Sequence, residues 1–136
     1  MSQANSVFSS VAESRTSSEE ASGMPVLDQD HLNQYTLGDD ALATEILHLF
    51  TDQVDVYLDG LKTAKDGLDW QQVAHGLKGS ASAIGAWALA DLAERAENGI
   101  LSDVDQTRQL FLPHLTEQVH RTKAHITKVL LKSEVA

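Results

Sequence analysis

The sequence predicts an all-α fold, an antiparallel up-down-up-down four-helix bundle with a short extra helix at its N-terminal end. Three observations carry this. Apolar residues from about residue 25 to 133 recur at spacings of three and four, and no run alternates with period two. Asp and Gly punctuate the periodic segments so that only short loops remain, and short loops force neighbouring helices to run antiparallel. Aromatics make up only 5% of the chain, so the core must be aliphatic.

Each helix has a local reason. Pro25 and Asp28 open a short helix carrying Leu27, Leu32 and Tyr35, and Leu37-Gly38-Asp39-Asp40 ends it and caps the next. The second helix is expected to bury Leu42, Ile46, Leu49, Phe50, Tyr57, Leu61 and Ala64 and to stop at Gly67. Gly60 within it is a weak point of about 1 kcal/mol relative to Ala. Asp69 is expected to cap the third helix, which carries Trp70, Val73, Leu77 and Ile84 and ends at Gly85. The fourth runs from Ala86 through Leu89, Leu92, Ala93 and Ala96 to Asn98-Gly99. The last spans about Asp103 to Leu131, with Val104, Phe111, Leu115, Val119, Thr122, Ile126 and Val129 inward; Pro113 is expected to kink or restart it.

Residues 1–24 hold eight serines and few apolar groups, too few to offset ordering entropy, and are expected to form a disordered tail ahead of the bundle at 25–133. Twenty Asp and Glu against ten Lys and Arg give a net charge of −10, which argues against nucleic acid and anionic membrane surfaces as partners. A protein partner fits better. No apolar run approaches the roughly 20 residues of a membrane span, and no leader pattern opens the chain. With no cysteine there is no disulfide or thiolate chemistry; a cytoplasmic monomer is the expectation.

Six histidines remain to be explained. With His75 at zero on a wheel of about 100° per residue, Val73, Leu77, Ser80 and Ile84 fall at about 140° to 200°, so His75 faces solvent. Gln71, Lys78, Gly79 and Ser82 lie within about 60° of it, a small, polar and cationic stripe. Gly76 and Gly79, each costing about 1 kcal/mol inside a helix, sit within one turn of the ring. Either helices pack tightly there, or something approaches the ring closely.

The run Ala74-His75-Gly76-Leu77-Lys78-Gly79-Ser80-Ala81, followed by Ile84-Gly85, resembles the signature of histidine-containing phosphotransfer (HPt) domains. The similarity extends to Val26-Leu27-Asp28, Leu42 through Phe50 and Leu92 to Asn98, essentially everything from residue 25 onward. The resemblance implies that His75 is the phosphorylated residue and that Lys78 and Gly79 match the family's lysine and following small residue. It implies receiver domains of a hybrid kinase or response regulator as partners. A docking patch would then form from Leu32 and Tyr35 of the first helix and exposed positions around His75, including Gln71, Gly79 and Ser82.

Chemistry accounts for these residue types on its own terms. Neutral imidazole, with an ordinary pKa of about 6.5, is a nucleophile at neutral pH without burial or a strong base. Lysine at i+3 reaches an anionic group on the ring as a point charge, and glycine at i+4 clears the partner's approach. Phosphoryl transfer needs in-line approach and a metal to neutralise charge. This chain offers no ligand cluster, so no cofactor of its own is expected, and Mg2+ is expected in the partner receiver. The chain is also too short to hold a kinase ATP-binding or receiver domain beside the bundle, so it is expected to be a phosphocarrier without autonomous kinase activity.

Geometry adds one residue. If the third and fourth helices turn back at Gly85-Ala86, His75 and Glu97 lie at one level. A carboxylate accepting from Nδ1–H leaves Nε2 free to attack. The chemotaxis-kinase branch of the resembled family has glutamate at the matching place; many members have glutamine or lysine.

Two rival functions arise. Glu45-x-x-His48 and Glu117-x-x-His120 have the spacing of carboxylate-bridged di-metal bundles, but the wheel turns both pairs toward water. A helical adaptor without phosphoryl chemistry would have no need of His75, Lys78 and Gly79 together. His31, His114 and His125 are expected to be solvated.

Overall fold

The computed structural model describes residues 25–135. They form five helices: α1 (Gln29–Tyr35), α2 (Asp40–Thr63), α3 (Gly67–Ala83), α4 (Trp87–Asn98) and α5 (Val104–Val135). Strands are absent among the described residues. Contacts link α2 to α3, α3 to α4, α4 to α5 and α5 back to α2, so the four long helices enclose one core. The tail at 1–24 lies outside the described residues.

Aspartates start the first three helices. Asp28 accepts the His31 N–H at 3.1 Å and Asp39 the Leu42 N–H at 3.1 Å. The expected cap of α3 is displaced by three residues. Asp66, not Asp69, is the N-cap, accepting the Asp69 N–H at 2.9 Å, while Asp69 reaches back to the Lys65 N–H at 3.3 Å. The two aspartates thus satisfy one N–H inside the helix start and one just ahead of it, at Lys65 rather than at the N-cap itself. Accordingly α2 ends at Thr63, short of Gly67.

The inward face of α2 also differs from expectation. Leu42 and Leu49 are exposed, and the buried residues are Leu47, Phe50, Val54, Leu58 and Leu61. Apolar residues cover more than half of this helix's circumference, so periodicity alone allows two stripes; contact with α3 and α5 selects one. Gly60 packs against α3, where an added Cβ would lie 3.1 Å from Val73 Cγ1. Arg108 of α5 locks the far end of α2, donating from Nε to the Leu61 carbonyl at 3.1 Å and from Nη2 to that of Ala64. Those carbonyls have no partner within their own helix. Lys123 of α5 pairs with Asp55 of α2 at 2.9 Å.

On α3 and α4 the core positions are Trp70, Ala74, Leu77, Ala81, Leu89, Ala90, Ala93 and Ala96. The alanines bring the two helices close, and the Trp70 indole fills the space left, donating to the Ala96 carbonyl at 2.9 Å. α5 contributes Leu115, Val119, Thr122 and Ile126. It does not restart at Pro113, which is exposed. The carbonyl that loses its proline-side donor belongs to Gln109, itself exposed, so water can satisfy it.

The entry to α1 is pinned on the α3–α4 turn. Asp28 N–H donates to the Gly85 carbonyl at 3.0 Å, and Asp28 Oδ2 accepts the Trp87 indole N–H at 2.8 Å. Gly85 has φ +80°, and a Cβ there would lie 2.9 Å from the Asp28 carbonyl oxygen, so glycine is required on two counts. The Trp87 bond first, then the His31 N–H, hold the Asp28 carboxyl below its ordinary pKa of 3.8. A depressed carboxyl stabilises the fold fully above the unfolded value and loses that contribution as pH falls through the folded one. Asp28→Asn should therefore flatten part of the decline in urea midpoint below pH 3.8, measured against wild type from pH 5 to 2.

Candidate functional site

The His75 ring stands on the outer face of α3 with its side chain 67% exposed. Around it the same helix buries Ala74, Leu77 and Ala81 on its opposite face, and this inward anchoring holds the outward ring in place. His75 Nδ1 lies 2.9 Å from Glu97 Oε2. A carboxylate only accepts, so Nδ1 carries the proton, and in the neutral ring the free lone pair is then on Nε2, on the far side.

Glu97 is mostly buried, at 16% exposure, between α3 and α4. Its second oxygen, Oε1, has no hydrogen-bond partner and lies 3.9 Å from Lys78 Nζ, ion-pair range but too long for a hydrogen bond. One carboxylate thus addresses the histidine with one oxygen and the lysine with the other. The ammonium, half-buried, stays beside the ring without being fixed to it.

The two glycines flanking the ring do different work. A Cβ on Gly76 would lie 2.8 Å from Tyr57 Cε1, so this glycine admits the tyrosine of α2. The Tyr57 hydroxyl in turn accepts from Ser80 Oγ at 3.3 Å. A Cβ on Gly79 would meet nothing within 4 Å. Packing therefore explains Gly76 and leaves Gly79 unexplained.

The other expected site residues divide. Gln71 and Ser82 are half-buried on α3, and Ser82 lines a groove with Lys78. Tyr35 is 54% exposed, with its ring stacked 6.4 Å from His31. Leu32 is a correction: at 2% exposure it belongs to the core and offers nothing to a docking partner. Two of the remaining histidines also need revision. His31 is half-buried with its ring edge-on to Trp87 at 4.8 Å, and half-buried His125 has its pKa lowered by burial and then by Lys128 and Lys132. His48, His114 and His120 are exposed.

Glu45 and Glu117 are exposed as well, so the two Glu-x-x-His pairs point away from the core where a di-metal centre would need them. Among the described residues no three His, Cys, Asp or Glu side chains come together in a way that could hold a metal. No described helix is long and apolar enough to cross a membrane. The Trp87–Asp28 bond was not visible in the sequence, since its partners are 59 residues apart.

Fold and site together define a helical-bundle protein that presents one oriented, solvent-facing histidine beside a lysine and a carboxylate. The Hpt domain family matches residues 45–125, more than half of the chain, and the chain belongs to that family. Its fold is similar to that of the HPT domain from the Hpt sensor hybrid histidine kinase of Shewanella. That match has a TM-score of 0.66 at 18% identity and covers 79% of this chain and 95% of that one. No curated protein matches the chain.

Proposed function

We propose that this protein is a phosphorelay intermediate. His75 accepts a phosphoryl group from a receiver-domain aspartate, or directly from a kinase, and passes it to another receiver aspartate. The observation that carries this reading is the exposed His75 ring whose Nδ1 is engaged by Glu97 at 2.9 Å, in a chain of the Hpt family. On this reading α2 to α5 run up-down-up-down, and the surface around His75 meets the receiver.

The His75 Nε2 lone pair attacks phosphorus in line. The N–P bond forms as the bond to the aspartyl oxygen breaks, and the aspartate leaves as a free carboxylate. The ring keeps its Nδ1 proton and so gains positive charge as the new bond forms. Glu97, an anion already in hydrogen-bond contact, stabilises that charge without rearranging, an interaction worth about 1.5–3 kcal/mol. Lys78 supplies a cation to the phosphoryl oxygens, moving from its loose contact with Glu97 Oε1. The reverse step uses the same groups. The metal ion that neutralises the transferring phosphoryl group, Mg2+ on this reading, belongs to the receiver.

Glu97→Ala should slow phosphorylation of His75 by about tenfold, the rate equivalent of some 1.4 kcal/mol, while the thermal midpoint changes little. An unchanged rate would remove Glu97 from the mechanism. The function itself is tested by incubation with a competent kinase and receiver and labelled ATP, then a chase with a second receiver. Acid-labile, base-stable label should appear on the chain and move to the second receiver. Stable binding without label would make the protein an adaptor.

A further inference from the structure

An open groove of about 360 Å3 lies beside the site. Lys78 and Ser82 of α3 line one side, and Trp87, Ala90, Asp91 and Glu94 of α4 the other. The Trp87 ring is held from behind by its 2.8 Å bond to Asp28 and by the edge contact with His31, so it forms a fixed aromatic wall. Of the charged groups, Lys78 is drawn to Glu97 at 3.9 Å and Asp91 is paired with Arg95 at 2.9 Å. Glu94 is exposed and takes part in no ion pair among the described residues.

An aromatic ring and an unpaired carboxylate that line one groove two helical turns apart, about 10 Å, favour a long cationic side chain lying along it. The ring attracts it through its quadrupole and the carboxylate through charge and hydrogen bonding. Position limits where the cation comes from. Lys78 is one helical turn from His75, about 5–6 Å between Cβ atoms, whereas a docked protein covers about 800 Å2 per side. A partner of that footprint centred on Nε2 extends over this groove.

We propose that the groove between Trp87 and Glu94 seats an arginine or lysine side chain of the receiver domain that docks on His75, and that it helps decide which receivers are accepted. This rests on His75 being the phosphoryl acceptor. Glu94 touches none of the reacting atoms, so its effect falls on docking.

The test uses the full chain, phosphorylated on His75, and a panel of receiver domains from the host, with transfer rates measured against receiver concentration. For receivers that accept the group, Glu94→Lys should raise KM about tenfold with kcat within about twofold, and Glu94→Gln should raise it less. Reversing one basic residue of the receiver to Glu should restore the KM of Glu94→Lys. If transfer proceeds and neither Glu94 variant changes KM for any receiver, the groove proposal fails and the phosphotransfer reading stands. If no receiver takes the group from wild type, both fail.

Discussion

Gly79→Leu should lose phosphoryl transfer while the fold becomes more stable. Opposite effects on function and stability are what a glycine kept for access predicts. The space around a Cβ at residue 79 is empty to 4 Å, so the larger side chain meets no neighbour within the protein. Replacing glycine inside a helix should add up to about 1 kcal/mol of stability, read as a higher urea midpoint. The leucine would, however, stand one turn from His75 in the path of an in-line donor. A displacement of only about 1 Å can cost 100-fold in rate, so a loss of at least that size is expected with any receiver. Transfer at the wild-type rate would mean that no partner closes over this stripe. Gly76→Leu serves as the contrasting variant, since Gly76 sits against Tyr57 at a distance that leaves no room for a side chain.

Trp70→Ala should remove most of the protein's stability. The indole is fully buried among Leu and Ala side chains and donates its N–H to the Ala96 carbonyl at 2.9 Å. Deleting a buried Trp side chain costs about 3–5 kcal/mol, against a total of about 5–15 kcal/mol for a domain. The alanines that line α3 and α4 have no side-chain reach with which to fill the cavity. Chemical denaturation should show a much lower midpoint or no folded baseline. Trp70→Phe, which keeps most of the volume and loses the hydrogen bond, should fall between the two. A Trp70→Ala protein as stable as wild type would contradict the packing described for α3 and α4.

How far the sequence disclosed this arrangement depends on the element. α3 was legible because its apolar residues occupy one narrow stripe, so the opposite position of His75 followed from the helical period. The His75–Glu97 contact was legible because a three-residue connection makes residues equidistant from the turn neighbours. α2 was not, since its apolar residues run around the helix and only its neighbours choose between Leu42 with Leu49 and Val54 with Leu58. Leu32 was expected in the docking patch on the family resemblance, and a helix of seven residues, only two turns long, has too short a pattern of its own to correct that. The shared use of Glu97 by His75 and Lys78, and the pinning of Trp87 by Asp28, depend on side chains brought together from separate helices. No local pattern records them.

On the proposed mechanism one nitrogen of one histidine carries the phosphoryl group, because Glu97 holds the other. This is tested most directly by phosphorylating the 15N-labelled chain with a competent donor and assigning the modified nitrogen by NMR, with His75→Gln as the control. Phosphorus is expected on His75 Nε2, with Nδ1 protonated and no phosphohistidine in the variant. Phosphorus on His75 Nδ1, or on any of the other five histidines, would contradict it.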